Sequence, residues 1–205
     1  MPFPLEDNDI AVSFIEKHFR KRDFVWNEDF FLLVLNAPRS KHDVYWSVIG
    51  LRKVGSERSI PVLAKFLTYP MQDVKTVSIL TIAHIGREKV TPLVAEALLN
   101  PRYREKAYAI WAIMDAADER AIPAVLEYFA KNRAKLSAGK LDAFADGFRY
   151  LVKFRHTAPK VATFIDQVPS YWNKLPQGTR QEIKKHMPEL AEQIESRSCT
   201  LSQSQ

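Results

Sequence analysis

The stretch that decides the fold is residues 55–63, which read GSERSIPVL, because it recurs twice further along the chain. Residues 86–94 read GREKVTPLV and residues 117–125 read ADERAIPAV, so the copies begin 31 residues apart. Each copy carries a proline followed two positions later by Leu or Val. An internal period of this length is typical of proteins that stack copies of one supersecondary unit.

Aligning the chain at this offset brings residues of like chemistry into columns. The apolar columns are Val48/Ile79/Ile110, Ile49/Leu80/Trp111, Leu51/Ile82/Ile113, Leu63/Val94/Val125 and Leu67/Leu98/Phe129. Apolar residues recur at steps of three and four along each unit, which predicts amphipathic helices and not strands. The repeating unit is therefore expected to be an antiparallel pair of helices that buries its apolar face only by stacking on neighbours.

Glycine and proline mark where these helices are expected to begin and end. Gly55 and Gly86 are predicted to end the first helix of a unit in the left-handed conformation, which costs glycine least. Each repeated proline is predicted in the first turn of the second helix, where its missing N–H loses no hydrogen bond. These prolines are Pro61, Pro92 and Pro123, and Pro38, Pro70 and Pro101 are expected between units.

The pattern Gly-x-x-Arg-x-x-Pro-x-Leu in residues 55–63 resembles the HEAT-like repeat, in the short form named after phycobilisome lyases. The second copy departs from this pattern at Lys89 and Val94, and the third at Ala117 and Val125. The resemblance covers residues 41–131 and implies an all-α, right-handed α-solenoid, or superhelix. Known members include protein-binding scaffolds, bilin lyases and, more distantly, DNA glycosylases. The positions that carry the repeat are Gly55, Arg58, Pro61, Gly86, Lys89, Pro92, Arg120 and Pro123.

The flanking sequence is interpreted as divergent units, which gives about six helix pairs in one domain over residues 1–195. The additional helices are expected at residues 9–21, 27–36, 138–153, 159–167 and 178–194. Residues 196–205 are rich in Ser and Gln and are predicted to form a disordered polar tail. The lone cysteine, Cys199, lies in this tail, so neither a disulfide framework nor a cysteine metal site is expected.

Composition predicts a cytoplasmic protein without a membrane segment. The first nine residues carry acids where a targeting signal needs bases, and the apolar runs are too short to cross a bilayer. The chain has 30 Lys and Arg against 24 Asp and Glu, a formal net charge of +6.

This charge is concentrated in residues 131–160, where the repeat becomes irregular. The segment holds two acids, Asp142 and Asp146, and eight bases, namely Lys131, Arg133, Lys135, Lys140, Arg149, Lys153, Arg155 and Lys160. One interpretation is a docking surface for an acidic protein or for a phosphate backbone. The other is a solvated helix face, because the acids at 142 and 146 and the bases at 149 and 153 form one helical stripe.

Two further sets of charged columns occur in the second helices. Glu57/Glu88/Glu119 and Arg58/Lys89/Arg120 are expected to form a ladder of ion pairs between stacked units. Lys65, Glu96 and Glu127 interrupt the apolar columns, and they are candidate contacts to a partner on the concave face or simply a solvated surface.

The function expected from these features is a non-catalytic scaffold or inhibitor, such as an adaptor or an immunity-type protein. Its partner is expected to be another protein with an acidic surface, with nucleic acid as a further possibility, and no cofactor or metal is expected. The resemblance leaves two alternatives. One is a DNA glycosylase, for which Trp111 and Asp115 would form the aromatic-flanked carboxylate and Arg149 would contact phosphate. The other is a bilin lyase-like protein.

Overall fold

Every regular element in the described part of the chain is helical. The computed structural model describes residues 9–138, 141 and 143–203. The α-helices are α1 (Asp9–Phe19), α2 (Glu28–Asn36), α3 (Lys41–Val54), α4 (Ile60–Lys65), α5 (Gln72–Gly86), α6 (Thr91–Leu99), α7 (Lys106–Ala116), α8 (Ile122–Lys131), α9 (Arg133–Ser137), α10 (Phe144–Val152), α11 (Pro159–Gln167), α12 (Gln177–His186) and α13 (Pro188–Gln203). Short 3₁₀ segments lie at Glu57–Ser59, Phe66–Thr68, Arg87–Val90, Glu119–Ala121 and Val168–Lys174. The predicted all-α class is confirmed.

Helices that lie two or three apart in the sequence pack against each other. Helix α3 contacts α5, α5 contacts α7, and α7 contacts α10, which also contacts α12. Helix α6 contacts α8, and α8 contacts α11. At the two ends of the chain, α1 contacts α3, while α13 contacts α12 and the segment Val168–Lys174.

The repeated prolines lie where the sequence predicts them. Pro61, Pro92 and Pro123 are the second residues of α4, α6 and α8, at positions where a helical N–H has no partner within the helix. A 3₁₀ turn comes directly before each of these helices. The side-chain oxygens of Ser56 and Asp118 cap two of these turns by accepting from backbone N–H groups.

The two repeat glycines do not adopt the left-handed conformation that the sequence predicts. Gly55 is extended, with φ −76° and ψ 153°, and Gly86 is right-handed helical, with φ −89° and ψ −17°. A Cβ atom at Gly55 would lie 2.8 Å from Ile85 Cδ1, and one at Gly86 would lie 3.0 Å from Ile60 Cδ1. A Cβ atom would lie closer still to Leu51 O at Gly55 and to Val90 Cγ1 at Gly86, so crowding by several neighbours, and not a positive φ, explains both glycines.

Most of the aligned apolar columns form the core. Val48, Ile79 and Ile110 are completely buried, and the same holds for the columns Leu51/Ile82/Ile113 and Leu63/Val94/Val125. The small-residue column Ser47/Ser78/Ala109 is also completely buried, which lets neighbouring first helices approach closely. Leu67, Leu80 and Trp111 depart from this pattern, since each is only partly buried.

The irregular fourth unit differs from its predicted form. A single helix over residues 138–153 is wrong, because α9 ends at Ser137 and α10 begins at Phe144. Ala143 has φ 57°, in the left-handed region, and this backbone conformation cannot continue a right-handed helix. The predicted helix at 159–167 is confirmed as α11.

The C-terminal region is also more ordered than predicted. The expected helix at 178–194 is divided at Pro188, because proline disfavours the helical conformation at the preceding residue, and Met187 has φ −146° and ψ 61°. Helix α13 then continues to Gln203, through most of the predicted disordered tail. Ser198 explains the continuation, because it is buried and its hydroxyl accepts a hydrogen bond from Asn173 Nδ2 at 3.1 Å.

Candidate partner-binding surface

The side chains of the predicted partner column lie on the solvent side of the second helices. Lys65 on α4, Glu96 on α6 and Glu127 on α8 are all exposed. Their apolar neighbours in the sequence point the other way, since Leu98 is completely buried and Phe129 is 1% exposed. Helical periodicity therefore separates the core face of these helices from a charged outer face.

Helix α8 joins this column to the basic segment. Lys131 Nζ lies 2.5 Å from Glu127 Oε1, one helical turn earlier, and both side chains remain about half exposed or more. An exposed pair at this spacing is worth only a few tenths of a kcal/mol, so a partner can break it at little cost. The two predicted surfaces are therefore continuous at the end of α8.

The short helix α9 displays two cations. Arg133 and Lys135 are exposed, and within the described residues neither has an ion pair or a hydrogen bond from its side chain. Asn132 separates α9 from α8 and donates from Nδ2 to the Tyr128 carbonyl at 2.8 Å. Leu136 is 3% exposed and anchors α9 to the core. These contacts hold the backbone of α9 against the core, while the two charged side chains extend into solvent.

Two other predicted contacts are engaged within the chain. Arg149 lies 3.7 Å from Asp146 Oδ1, while Asp146 Oδ2 accepts from the Trp111 indole N–H at 2.7 Å. Lys153 Nζ donates to the Met114 carbonyl at 3.1 Å. The Trp111–Asp146 and Lys153–Met114 hydrogen bonds tie the region of α10 to α7, whereas Arg149 pairs within α10 itself. Lys140 and Asp142 lie outside the described residues.

Arg155 lies at a different place, in a cleft of about 210 Å³ between α11 and α13. His156 and the ion pair between Arg197 and Asp166, at 2.8 Å, also line it. Arg197 is absent from the predicted site residues, because it lies in the segment that was expected to be a disordered tail. Its position in an unbroken helical register after Ile194 is the sequence signal that could have found it.

The charged columns at the start of the second helices reach back to the preceding unit. Lys89 Nζ donates to Glu57, and Arg120 donates to the Glu88 carbonyl at 2.6 Å. Arg58 pairs with Asp29 at 2.5 Å. Each base therefore contacts an acid or a carbonyl 29 to 32 residues earlier. Among these contacts, only that of Lys89 is the predicted pairing with an aligned glutamate.

The aromatic and carboxylate pair considered for a glycosylase lies on the surface of α7. Asp115 is 54% exposed and lies 4.0 Å from Arg87, which makes it part of a solvated surface ion pair. Trp111 donates its indole N–H to Asp146. The column alignment predicts a core position for Trp111, but this ring is only partly buried.

A second basic cluster, absent from the sequence-based prediction, lies at the N-terminal end. Residues 17–22 read KHFRKR, with a base at every position except Phe19. Within this run, Arg22 NH2 lies 2.6 Å from Asp43 Oδ2 and His18 Nε2 lies 2.8 Å from Asp43 Oδ1. Burial alone would raise the pKa of Asp43, but hydrogen bonds from His18, the Arg39 N–H and Arg22, with the charge of Arg22, lower it to about 2.

The described ranges hold neither a candidate metal cluster nor a candidate membrane-spanning helix. No group of three or more His, Cys, Asp or Glu side chains there is placed to hold a metal ion, and Cys199 is exposed. None of the helices in the same ranges has both the length and the apolar character needed to span a bilayer.

The protein is thus an all-helical chain, over its described residues, with a mixed-charge surface on α8 and α9. Comparison with protein-family models, with curated proteins and with solved structures finds no match.

Proposed function

We propose that the chain is a HEAT-like, right-handed α-solenoid that acts as a non-catalytic, protein-binding scaffold or inhibitor. The repeat is supported by contacts that share the period of the sequence. Ser59 Oγ donates to Glu28, 31 residues away, and Tyr150 donates to the Asp118 carbonyl, 32 residues away. The ladder contact of Lys89 also spans 32 residues. Hydrogen bonds that span about one repeat period are expected when like positions of successive units lie side by side.

The proposed solenoid has six helix pairs. They are α1/α2, α3/α4, α5/α6, α7/α8, α10/α11 with α9 inserted before it, and α12/α13. In this arrangement, the second helices form one continuous side of the molecule. Lys65, Glu96 and Glu127 then present a row of charges to a partner.

The observation that carries the binding function is the pair of exposed cations on α9, which have no counterion among the described residues. A cation on a mobile surface loop loses side-chain and backbone entropy when it binds, whereas Arg133 and Lys135 sit on a helix that Leu136 anchors. Arg133 also offers a planar group that can bind a carboxylate with two hydrogen bonds. An acidic protein surface would therefore find two cations here on a backbone that is already ordered.

The charges next to α9 favour a protein over a polyanion. Glu127 is exposed one turn before Lys131, and Glu96 is exposed on the neighbouring helix. A nucleic-acid backbone would be repelled by these carboxylates, whereas a protein with both acids and bases can match them. An adaptor and an immunity-type inhibitor are two forms of the same proposal, since both act by covering a partner's surface.

Charge reversal on α8 and α9 tests the proposal. The tagged protein is used for affinity capture from extract of its native cell, once at about 0.1 M salt and once at about 1 M salt. The Debye length is about 10 Å in the first condition and about 3 Å in the second, so charge attraction is screened much more strongly at high salt. The test variant combines Lys131→Glu, Arg133→Glu and Lys135→Glu. The control makes the same change in charge at three exposed bases elsewhere, with Arg104→Glu, Lys174→Glu and Lys185→Glu.

The proposal expects an acidic protein that is captured at low salt by the wild type and the control but is lost with the test variant. Capture of the same protein by all three chains would contradict the assignment of the surface. Turnover of a substrate by the purified chain would contradict the non-catalytic role.

A further inference from the structure

The N-terminal basic run lines a cleft between α1 and α3. The cleft, named here the α1 cleft, has a volume of about 380 Å³ and is lined by Phe14, Lys17, His18, Arg20, Lys21 and Trp46. This volume lies in the range of small-ligand sites. The cleft shares no residue with the α8–α9 surface, so binding in the cleft can be tested separately from the proposed function.

The charges of the α1 cleft are unbalanced. His18 is held by Asp43, which is 3% exposed and lies beneath the cleft, and Arg22 neutralises the same carboxylate. Lys17, Arg20 and Lys21 have no ion pair within the described residues. No carboxylate in that part of the chain lines the cleft, because Glu16 of the same helix accepts from the Trp26 indole N–H at 2.9 Å and does not reach it. Three cations therefore face one opening, and this arrangement strongly favours an anion.

The aromatic side of the cleft adds a second requirement. The rings of Phe14 and Trp46 stack in parallel, with centroids 5.8 Å apart and an angle of 9° between their planes. Phe14 is nevertheless 49% exposed. A half-exposed ring that already stacks on one neighbour can accept a further planar ring on its outer side. Asp and Glu side chains offer anions without such a ring, whereas a nucleotide carries a planar base and a phosphate in one unit.

We infer that the α1 cleft binds single-stranded nucleic acid, with a base stacked on Phe14 and adjacent phosphates contacted by Lys17, Arg20 and Lys21. Stacking on an aromatic side chain beside a basic groove is the usual way in which proteins hold single strands without reading their sequence. A duplex would bind less well, because its bases are not free to stack on Phe14.

Binding is measured as the fluorescence anisotropy of a labelled single-stranded oligonucleotide of about 12 nucleotides, within the usual site sizes. Phe14→Leu removes the ring and should weaken binding about tenfold, as loss of one stacked base would, while Phe14→Trp should keep the affinity. Three phosphate contacts predict a slope of log K against log salt near −2, at about −0.7 for each contact. Lys17→Gln with Lys21→Gln should reduce the slope to about −0.7. The matched control is Lys174→Gln with Lys185→Gln, both exposed, which should leave the slope unchanged.

Several outcomes would overturn the inference. One is the absence of binding by the wild type at low salt, and another is an equal affinity for Phe14→Leu, which would leave only general attraction between charges. Poly-glutamate binding as tightly as the oligonucleotide would identify an acidic protein as the occupant, and a free mononucleotide binding equally tightly would exclude a strand. If Lys135→Glu abolishes oligonucleotide binding and Phe14→Leu leaves it unchanged, the site lies on α9 and not in the α1 cleft. Circular dichroism of each variant verifies that it is folded.

Discussion

Replacing Asp43 with asparagine tests the buried ion cluster beneath α1. Asp43 accepts from His18, from Arg22 and from the backbone N–H of Arg39 at 2.8 Å, and its side chain is 3% exposed. The substituted amide would keep the shape of the side chain but not its charge, so Asp43→Asn imitates a permanently protonated Asp43. The variant is therefore expected to lose the stability that ionised Asp43 contributes.

The magnitude follows from the pKa of this carboxyl group. Its pKa is about 2 in the folded protein against an ordinary value of 3.8, and each unit corresponds to about 1.4 kcal/mol. The ionised group therefore contributes about 2 kcal/mol to the free energy of unfolding at neutral pH. Because the folded-state pKa is lowered, this contribution is complete above about pH 4 and is lost as the pH falls towards about 2.

Urea unfolding, followed by circular dichroism from about pH 7 to about pH 3, measures this contribution. The free energy of unfolding of the wild type should exceed that of Asp43→Asn by about 2 kcal/mol near pH 6. At pH 3 this difference should be smaller by about 1 kcal/mol. The control is Asp23→Asn, at an exposed site that has no ion pair within the described structure and whose φ of 48° suits asparagine. If the difference in free energy of unfolding between the wild type and Asp43→Asn stays constant over this pH range, the linkage between the pKa of Asp43 and stability is refuted.

Two core predictions use the same unfolding assay. Leu98→Ala removes a completely buried side chain and should cost about 2–5 kcal/mol, while Leu33→Ala, at a site 70% exposed, should have little effect. A loss below about 1 kcal/mol for Leu98→Ala would mean that the columns are out of register. Gly50→Ala would place Cβ 2.5 Å from Phe31 Cε1, and this overpacking should cost about 1–3 kcal/mol, more than the helix propensity gained. Gly178→Ala meets open space and should not destabilise, so equal losses at both glycines would contradict the packing argument.

The helical elements are predictable from the sequence where local signals agree. Pro123 followed by Val125, in phase with earlier copies, locates the start of α8 within a residue because proline constrains φ and cannot donate. Pro159 does the same for α11. Pro188 carries the same signal inside an otherwise helical pattern, and the prediction of one continuous helix across it is wrong.

Tertiary contacts are what a single sequence does not contain. Gly55 and Gly86 occur where glycine commonly ends a helix, yet a side chain at either would collide with packed neighbours, among them Ile85 and Ile60 from helices other than its own. The ordered end of α13 depends on Asn173 in the same way, since that residue donates to Ser198 from 25 positions away. Composition alone describes such a segment as polar and therefore disordered.

Some residues of the candidate surface could likewise be predicted from local sequence, and others depend on tertiary contacts. The exposure of Arg133 and Lys135 follows from local sequence, because Leu136 is the apolar residue that sets the buried side of α9. The engagement of Lys153 does not, because its acceptor is the carbonyl of Met114, 39 residues earlier. The net charge of the chain does not reveal the basic run at residues 17–22, because acids elsewhere in the chain balance its positive charge.

The short sequence separation of several hydrogen bonds between helices has a consequence for synthesis on the ribosome. The side-chain contacts of Ser59, Lys89 and Tyr150 to the preceding unit close loops of only 31–32 residues. At a synthesis rate of about 5–20 residues per second, one further unit emerges about every 2–6 seconds, whereas helices and short loops form in microseconds. Each new helix can therefore dock on the helices before it while the rest of the chain is being made, and the N-terminal α1 cleft is complete while the basic helix α9 is still being translated.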